Sequence, residues 1–122
     1  MIHLDYRDVR PIYAQIIDGF KEQISTGVLQ PGEKLPSVRE LAAQLTINPN
    51  TIQRSYRQLE MEGWIVTVPG KGCFVCSDVQ AAEEEKKRLL AQLDASVDAL
   101  LAFGVSRDTL IARIARGGNQ NA

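Results

Sequence analysis

The sequence predicts an α+β fold that is mostly α, with three helices, a β-hairpin and two further helices in that order. Apolar residues recur at helical spacing in several segments, which is the pattern of helices with one buried face. Residues that commonly cap helix ends stand just before three of these segments, at Ser37, Asn48 and Ser106. Two β-rich runs separated by a glycine-rich turn predict the hairpin.

The composition fits one modest domain, or a small domain that carries an appendage. The chain has 122 residues, and 44% of them are hydrophobic, which is enough for an ordinary core. No apolar run approaches the ~18 residues of a membrane span, and the N-terminal stretch MIHLDYRDVR lacks the apolar region of a secretory signal. We therefore expect a cytoplasmic protein that has no membrane partner.

The two cysteines raise the question of metal or redox chemistry, because Cys73 and Cys76 have the C-x-x-C spacing. In an extended strand this spacing puts their side chains on opposite faces, with Cα atoms roughly 10 Å apart, which exceeds the ~7 Å limit for a disulfide. The single histidine is His3, so ligands for a four-coordinate zinc site are too few. We expect no metal and no cofactor. No Ser/His/Asp set is found, and an enzyme is not expected.

The first two helices are predicted by their ends and by their apolar faces. The first begins at Pro11, whose missing N–H costs nothing in a first turn, and ends at Gly27. The second follows Ser37, which forms a capping box with Glu40 three residues later. The inward residues are Ile12, Ile16, Ile17, Phe20 and Ile24 in the first helix, and Val38, Leu41, Ala42 and Leu45 in the second.

The third helix begins with Asn48 as its N-cap and Pro49 at its first position, and Gly63 ends it. Its inward residues are predicted to be Ile52, Ser55, Tyr56 and Leu59.

Beyond the third helix, residues 64–68 and 73–76 read as strands on either side of a turn that carries Lys71. A long helical pattern then runs from Asp78 to about Phe103, and Ser106 caps a short last helix. The chain is therefore predicted to have two domains, residues 1–77 and a helical tail at residues 78–122.

The outward face of the third helix points to a function. Two helices joined by a short turn form a helix-turn-helix, and the hairpin makes the arrangement winged. In such a fold the N-terminal residues of the second helix meet base edges in the DNA major groove, where Asn and Gln can bond adenine and Arg can bond guanine. Periodicity alone leaves the alternative of an ordinary solvated helix face. The outward residues are Asn50, Thr51, Gln53, Arg54 and Arg57.

Positive charge is concentrated around this helix. The whole chain has a formal net charge of −1, whereas residues 34–58 carry four positive side chains against one negative side chain, Glu40. The four positive residues are Lys34, Arg39, Arg54 and Arg57. Of these, Lys34, Arg54 and Arg57, together with Ser37 at a helix start, are candidates for phosphate contacts.

The run LQPGEKLPSVRELAAQLTINPNTIQRSYRQLEMEGWIVTVPGKGCFV resembles the winged-helix DNA-binding domain of the GntR family of bacterial transcription regulators. The shared segments are PG-x-x-LPS-x-RELA, NPNT-x-x-R-x-Y-x-x-LE-x-EG and G-K-G-x-FV, and the resemblance extends back through PIYAQI to cover about residues 8–77. Pro49 departs from the family, in which many members carry a basic residue at this position. A base contact is therefore expected from Asn50 and Gln53 and not from Pro49. The resemblance implies that Arg39, Asn50, Thr51 and Gln53 face DNA and that Lys71 and Gly72 approach the minor groove.

The tail resembles that of the short-tailed YtrA-type branch of the family, which implies dimerisation. Its apolar residues, here named the tail stripe, are too hydrophobic to leave in water, so burial against a second copy is also a physical expectation. The alternative is that the stripe folds back on its own domain. The stripe consists of Leu89, Leu90, Leu93, Val97, Leu100 and Leu101.

The functional hypothesis is a homodimeric, sequence-specific regulator, expected to be a repressor, that binds a two-fold symmetric DNA operator. The rival hypothesis is a winged-helix module that binds another protein, which the net charge of −1 favours slightly. Salt separates the two, because DNA binding releases counterions and weakens steeply as salt rises. The sequence identifies no small-molecule effector.

Overall fold

The computed structural model describes residues 2–78 and 80–117, and it contains five helices and one hairpin in the predicted order. The α+β, mostly helical prediction is therefore confirmed. Residues 118–122 of the predicted tail lie outside the described residues. The elements are α1 (Ile12–Ser25), α2 (Val38–Leu45), α3 (Pro49–Met61), β1 (Ile65–Val68), β2 (Gly72–Val75), α4 (Gln80–Ala102) and α5 (Arg107–Ala115).

The chain divides into two compact units, Met1–Glu83 and Glu84–Ala122. The first unit contains α1, α2, α3, the hairpin and the first residues of α4. Its core is formed by buried apolar side chains from each of these elements, and α1 and α3 contribute the most completely buried ones, Ile16, Ile52 and Leu59. The two buried polar side chains, Gln15 and Ser55, both have hydrogen-bond partners.

The helix caps of the helix-turn-helix are those that the sequence predicts. The Glu40 N–H donates to Ser37 Oγ over 3.0 Å, and the Ser37 N–H donates to Glu40 Oε1 over 3.1 Å, which completes the capping box of α2. The Asn48 side chain accepts from the Asn50 N–H over 2.8 Å at the start of α3, with Pro49 at the first position. These caps fix where both helices begin.

The start of α1 differs from the prediction by one residue. Pro11 is the N-cap of α1 and lies outside the helix, with ψ at 156°. The extended backbone of Pro11 precedes the first helical residue, Ile12, and its carbonyl still accepts hydrogen bonds from Ala14 and Gln15.

The hairpin is an antiparallel pair in which Ile65 faces Val75 and Val68 faces Gly72. β1 begins one residue later than predicted, and β2 lies one residue earlier than predicted, from Gly72 to Val75. The Trp64 N–H donates to the Leu59 carbonyl at the end of α3, while the Trp64 carbonyl still accepts from the Cys76 N–H. We call the hairpin and its turn the wing.

The segment before α2 pairs with the other edge of β2. The Leu35 N–H donates to the Cys73 carbonyl over 2.9 Å, and the Val75 N–H donates to the Glu33 carbonyl over 2.8 Å. Lys34 and Phe74 form the bridge between these bonds. The wing is therefore anchored to the chain on both sides of β2.

In the second unit, α5 follows α4 after a turn that contains Gly104, with φ at +92°. The Ser106 side chain caps α5 by accepting from the Thr109 N–H over 3.1 Å, as predicted. Across residues 2–78 and 80–117, no helix combines the length and the apolar content that a membrane span requires.

Candidate nucleic-acid interface

The outward face of α3 carries the amide and guanidinium groups that the sequence predicted for it. The side chains of Asn50, Gln53, Arg54 and Arg57 are exposed, and Thr51 is half-buried. The opposite face lies in the core, so the predicted helical phase is correct. Its residues, each 3% exposed or less, are Ile52, Ser55, Tyr56 and Leu59.

Four cations on or beside this face have no acidic partner among the described residues. Within the part of the chain that the structure describes, no carboxylate forms an ion pair with Arg39, Arg54, Arg57 or Lys71. Other cations do have such partners; Lys21 Nζ, for example, lies 2.8 Å from a carboxylate oxygen of Glu62, the residue that follows α3. Unneutralised charge beside exposed amides is an arrangement suited to a polyanion.

Arg54 is fixed in place by an aromatic ring on α1. Its Cζ lies 3.6 Å from the centroid of the Tyr13 ring, which is close stacking for a guanidinium. The next residue, Ser55, donates from its hydroxyl to the Tyr13 carbonyl over 3.1 Å. Sequence reasoning missed Tyr13, because the cue was only an aromatic residue in the first turn of a helix whose packing partner was unknown.

The start of α2 brings a cation beside the capping box. The backbone N–H of Ser37, its side chain and the nearby charge of Lys34 hold the pKa of Glu40 below its usual value. The Ser37 hydroxyl oxygen accepts the Glu40 N–H, and the Ser37 side chain also hydrogen-bonds the Glu40 carboxyl group. Ser37 is therefore a helix cap whose side chain is engaged within the capping box.

The wing brings together two predicted site residues that lie far apart in the sequence. Gly72 has φ at +123°, and a Cβ added there would lie 3.0 Å from Lys34 Cε. Lys71 precedes it at the exposed turn. Lys34, predicted as a phosphate contact near Ser37, is thus also a neighbour of the wing, because its strand pairs with β2.

Tyr56 has a structural role, as its place on the inward face predicts. It is 3% exposed, meets Phe20 edge to face with ring centroids 5.7 Å apart, and donates its hydroxyl to the Pro36 carbonyl over 2.7 Å. Burial raises the pKa of its phenol well above the ordinary value. The bond to Pro36 ties α3 to the segment that leads into α2 and so fixes the two helices relative to each other.

The cysteines are half-buried free thiols in the wing region. Cys73 Sγ lies 3.5 Å from the Thr67 hydroxyl on the neighbouring strand. Among the described residues, no group of three His, Cys, Asp or Glu side chains is arranged to hold a metal ion.

The tail stripe is largely exposed on the surface of a single chain. Leu89, Leu90, Leu93 and Leu100 are between 41% and 59% exposed, whereas Val97 and Leu101 are half-buried. Further exposed apolar side chains follow in the same unit, at Phe103, Ile111 and Ile114.

The helix-turn-helix and the wing coincide with a match to a known family. The family described as "Bacterial regulatory proteins, gntR family" matches residues 12–75. The chain is 45% identical over 87 residues to the "HTH-type transcriptional repressor YtrA" of Bacillus subtilis (strain 168), a match that covers 71% of this chain and 67% of that protein.

Solved structures give the same result. A GntR family transcriptional regulator from Listeria monocytogenes has a TM-score of 0.76 and 36% identity, covering 93% of this chain and 98% of that one. The AraR DBD, solved in complex with operator ORR3, has a TM-score of 0.54 and 30% identity, covering 61% of this chain and 89% of that one. Because the family match spans more than half of the sequence and includes the whole helix-turn-helix and wing, the chain belongs to the GntR family of bacterial regulatory proteins and is a DNA-binding transcription regulator.

Proposed function

We propose that the protein is a repressor that binds a two-fold symmetric DNA operator as a homodimer, with α3 of each subunit in the major groove of one half-site. The observation that carries this proposal is the surface on which the exposed amides of α3 adjoin guanidinium groups that no described carboxylate neutralises. DNA offers the two complementary features, phosphates for the cations and base edges for the amides.

The proposed contacts divide by chemistry. Asn50 and Gln53 read base edges, because their side-chain amides can donate and accept at once, and Arg39 faces DNA beside them. Thr51 offers a hydroxyl to a phosphate or base and a methyl group to thymine. Phosphates are held by Lys34, Ser37, Arg54 and Arg57, and the wing approaches the minor groove through Lys71 and Gly72.

In this proposal residues 1–77 bind DNA and residues 78–122 join the two subunits. The tail stripe supports the second role, because four leucines that are 41–59% exposed form an apolar surface suited to self-association. The repressor named YtrA supports the direction of control, since it shares 45% identity with this chain. The protein acts in the cytoplasm, where bacterial DNA lies, and it has a regulatory and not an enzymatic role.

The proposal is tested by selecting binding sites from randomised duplex DNA with the purified protein and sequencing the enriched pool. We expect a palindromic sequence, bound with an affinity that falls steeply between two salt concentrations because phosphate contacts release counterions. A scrambled duplex of equal length and composition is the control. If a folded dimer enriches no sequence and its residual binding ignores salt, the rival protein-interaction module replaces the DNA reader.

A further inference from the structure

Two residues from different helices meet at the edge of the α3 surface. Arg54, exposed on α3, stacks on Tyr13 from the first turn of α1, with 3.6 Å between the guanidinium carbon and the ring centroid. Tyr13 is half-buried and packs against the core, which restricts the ring that carries the guanidinium. The pair therefore combines a fixed aromatic support with an exposed cation.

A second contact reinforces the first at the same place. Ser55 is fully buried, and its single hydroxyl proton is shared between the carbonyls of Tyr13 and Thr51, each 3.1 Å from Oγ. Tyr13 thus contacts α3 twice, through its ring and through its carbonyl. Both contacts lie in the N-terminal half of α3, which is the half that presents Asn50 and Gln53.

Stacking leaves the arginine able to bind an anion. The five N–H donors of a guanidinium lie in its plane, so a ring on its face does not occupy them. No described residue accepts a hydrogen bond from the Arg54 side chain. An arginine held in one orientation before binding also loses less conformational entropy when it meets a phosphate.

We infer that Tyr13 is a positioning residue that presents the Arg54 guanidinium to a DNA phosphate. The inference rests on the proposed DNA contact of Arg54, which the family match does not itself assign. It adds a residue on α1 to an interface otherwise composed of α2, α3 and the wing.

The test is a double-mutant cycle of affinity for the selected operator, combining Tyr13→Leu with Arg54→Gln. Leucine keeps apolar bulk against the core and removes the ring. We expect Tyr13→Leu to weaken binding about two- to fivefold in the wild-type background, which is the range for an exposed cation–π contact. In the Arg54→Gln background the same change has no further effect, and Tyr13→Phe restores most of the affinity.

Two further readouts separate positioning from folding. Tyr13→Leu and Arg54→Gln each lower the salt dependence of binding by up to about 0.9 in the log–log slope, the share of one phosphate contact. In the free protein, NMR shows the Arg54 side-chain protons shifted upfield by the ring, a shift that Tyr13→Phe retains and Tyr13→Leu removes. The matched control is Tyr6→Leu, since Tyr6 is 70% exposed and has no described cation stacked on it. We expect Tyr6→Leu to change operator affinity by the same factor in the wild-type and Arg54→Gln backgrounds.

Different failures have different meanings. Equal losses from Tyr13→Leu in both Arg54 backgrounds, or no ring-current shift on Arg54, overturn the positioning role while leaving the regulator intact. If Tyr13→Leu does not fold, Tyr13→Phe and the wild-type NMR shift still decide the stacking. A wild-type protein that selects no operator defeats the proposed function itself, a result that is visible before any variant is made.

Discussion

Single side chains of the interface differ in whether their chemistry can distinguish one base from another. Gln53 projects from the exposed face of α3 with an amide that donates and accepts, which matches the paired groups on the major-groove edge of adenine. Lys71 offers an ammonium at the wing turn, and a point charge of this kind meets every phosphate alike. Substitution of the two residues therefore separates sequence reading from charge attraction.

Gln53→Ala is expected to cost roughly 1–3 kcal/mol of discrimination at one base pair of the operator and to leave affinity for scrambled DNA nearly unchanged. Lys71→Ala is the matched control, since it is expected to weaken operator and scrambled DNA alike and to lower the salt slope by about 1. Competition titrations with single-base operator variants measure both. Equal losses on operator and scrambled DNA for Gln53→Ala would remove that residue from base reading.

At the level of elements, the wing owes its position to more than its own turn. Its second strand is paired with β1 on one side and with the Glu33–Leu35 segment on the other. On the α3 side, Glu60 accepts the Thr67 N–H over 3.1 Å and links the helix to β1. These bonds fix the wing relative to α2 and α3, which is what a contact to both DNA grooves needs.

The glycines of the wing turn provide a test of that anchoring. Gly72→Ala is expected to destabilise the protein by about 2 kcal/mol, because φ at +123° is unfavourable for alanine. The new Cβ would also lie 3.0 Å from Lys34 Cε, near the end of a flexible side chain that can move away. Gly70→Ala, the control, has φ at +77° and open space around it, so we expect a loss of only about 1 kcal/mol.

Urea unfolding of both variants, followed by operator titration, checks this pair. We also expect the larger fall in operator affinity for Gly72→Ala, because the displaced Lys34 and the distorted strand belong to the same surface. Similar stabilities and affinities for the two variants would mean that the backbone conformation of Gly72 does not constrain the wing.

For the whole molecule, the proposed homodimer is expected to assemble through the tail stripe. A symmetric operator is read by two copies of α3, so a monomer retains only one half of the contacts. Exposed leucines on one face of α4 give two identical chains a common surface on which to join.

Leu93→Asp is expected to shift the protein from dimer to monomer, because the dimer interface would remove the new carboxylate from water and offer it no positively charged partner. Operator affinity is then expected to fall at least tenfold. Ala95→Asp is the matched control, because at 100° per residue position 95 lies on the face of α4 away from the stripe. Sedimentation analysis gives the oligomeric state, and titration of full and half operators gives the affinity. A Leu93→Asp protein that remains dimeric would exclude the stripe as the dimer interface.

The helices, the caps and the hairpin were predictable because their signals are local. The Ser37 capping box, the Asn48–Pro49 start of α3 and the outward phase of Gln53 each depend on residues within one or two turns of the chain. β1 begins one residue later than predicted, where the Trp64 N–H donates to the Leu59 carbonyl at the end of α3, a contact that strand propensity does not encode.

By itself the sequence determined the order of elements, the buried and outward faces of α3, and the family resemblance, since periodicity and capping are short-range properties. Only the tertiary structure decided which distant residues meet. It paired the Glu33–Leu35 segment with β2, put Lys34 against Gly72, and stacked Arg54 on Tyr13. Such contacts follow from how α1, α3 and the wing pack together, and no local pattern encodes them.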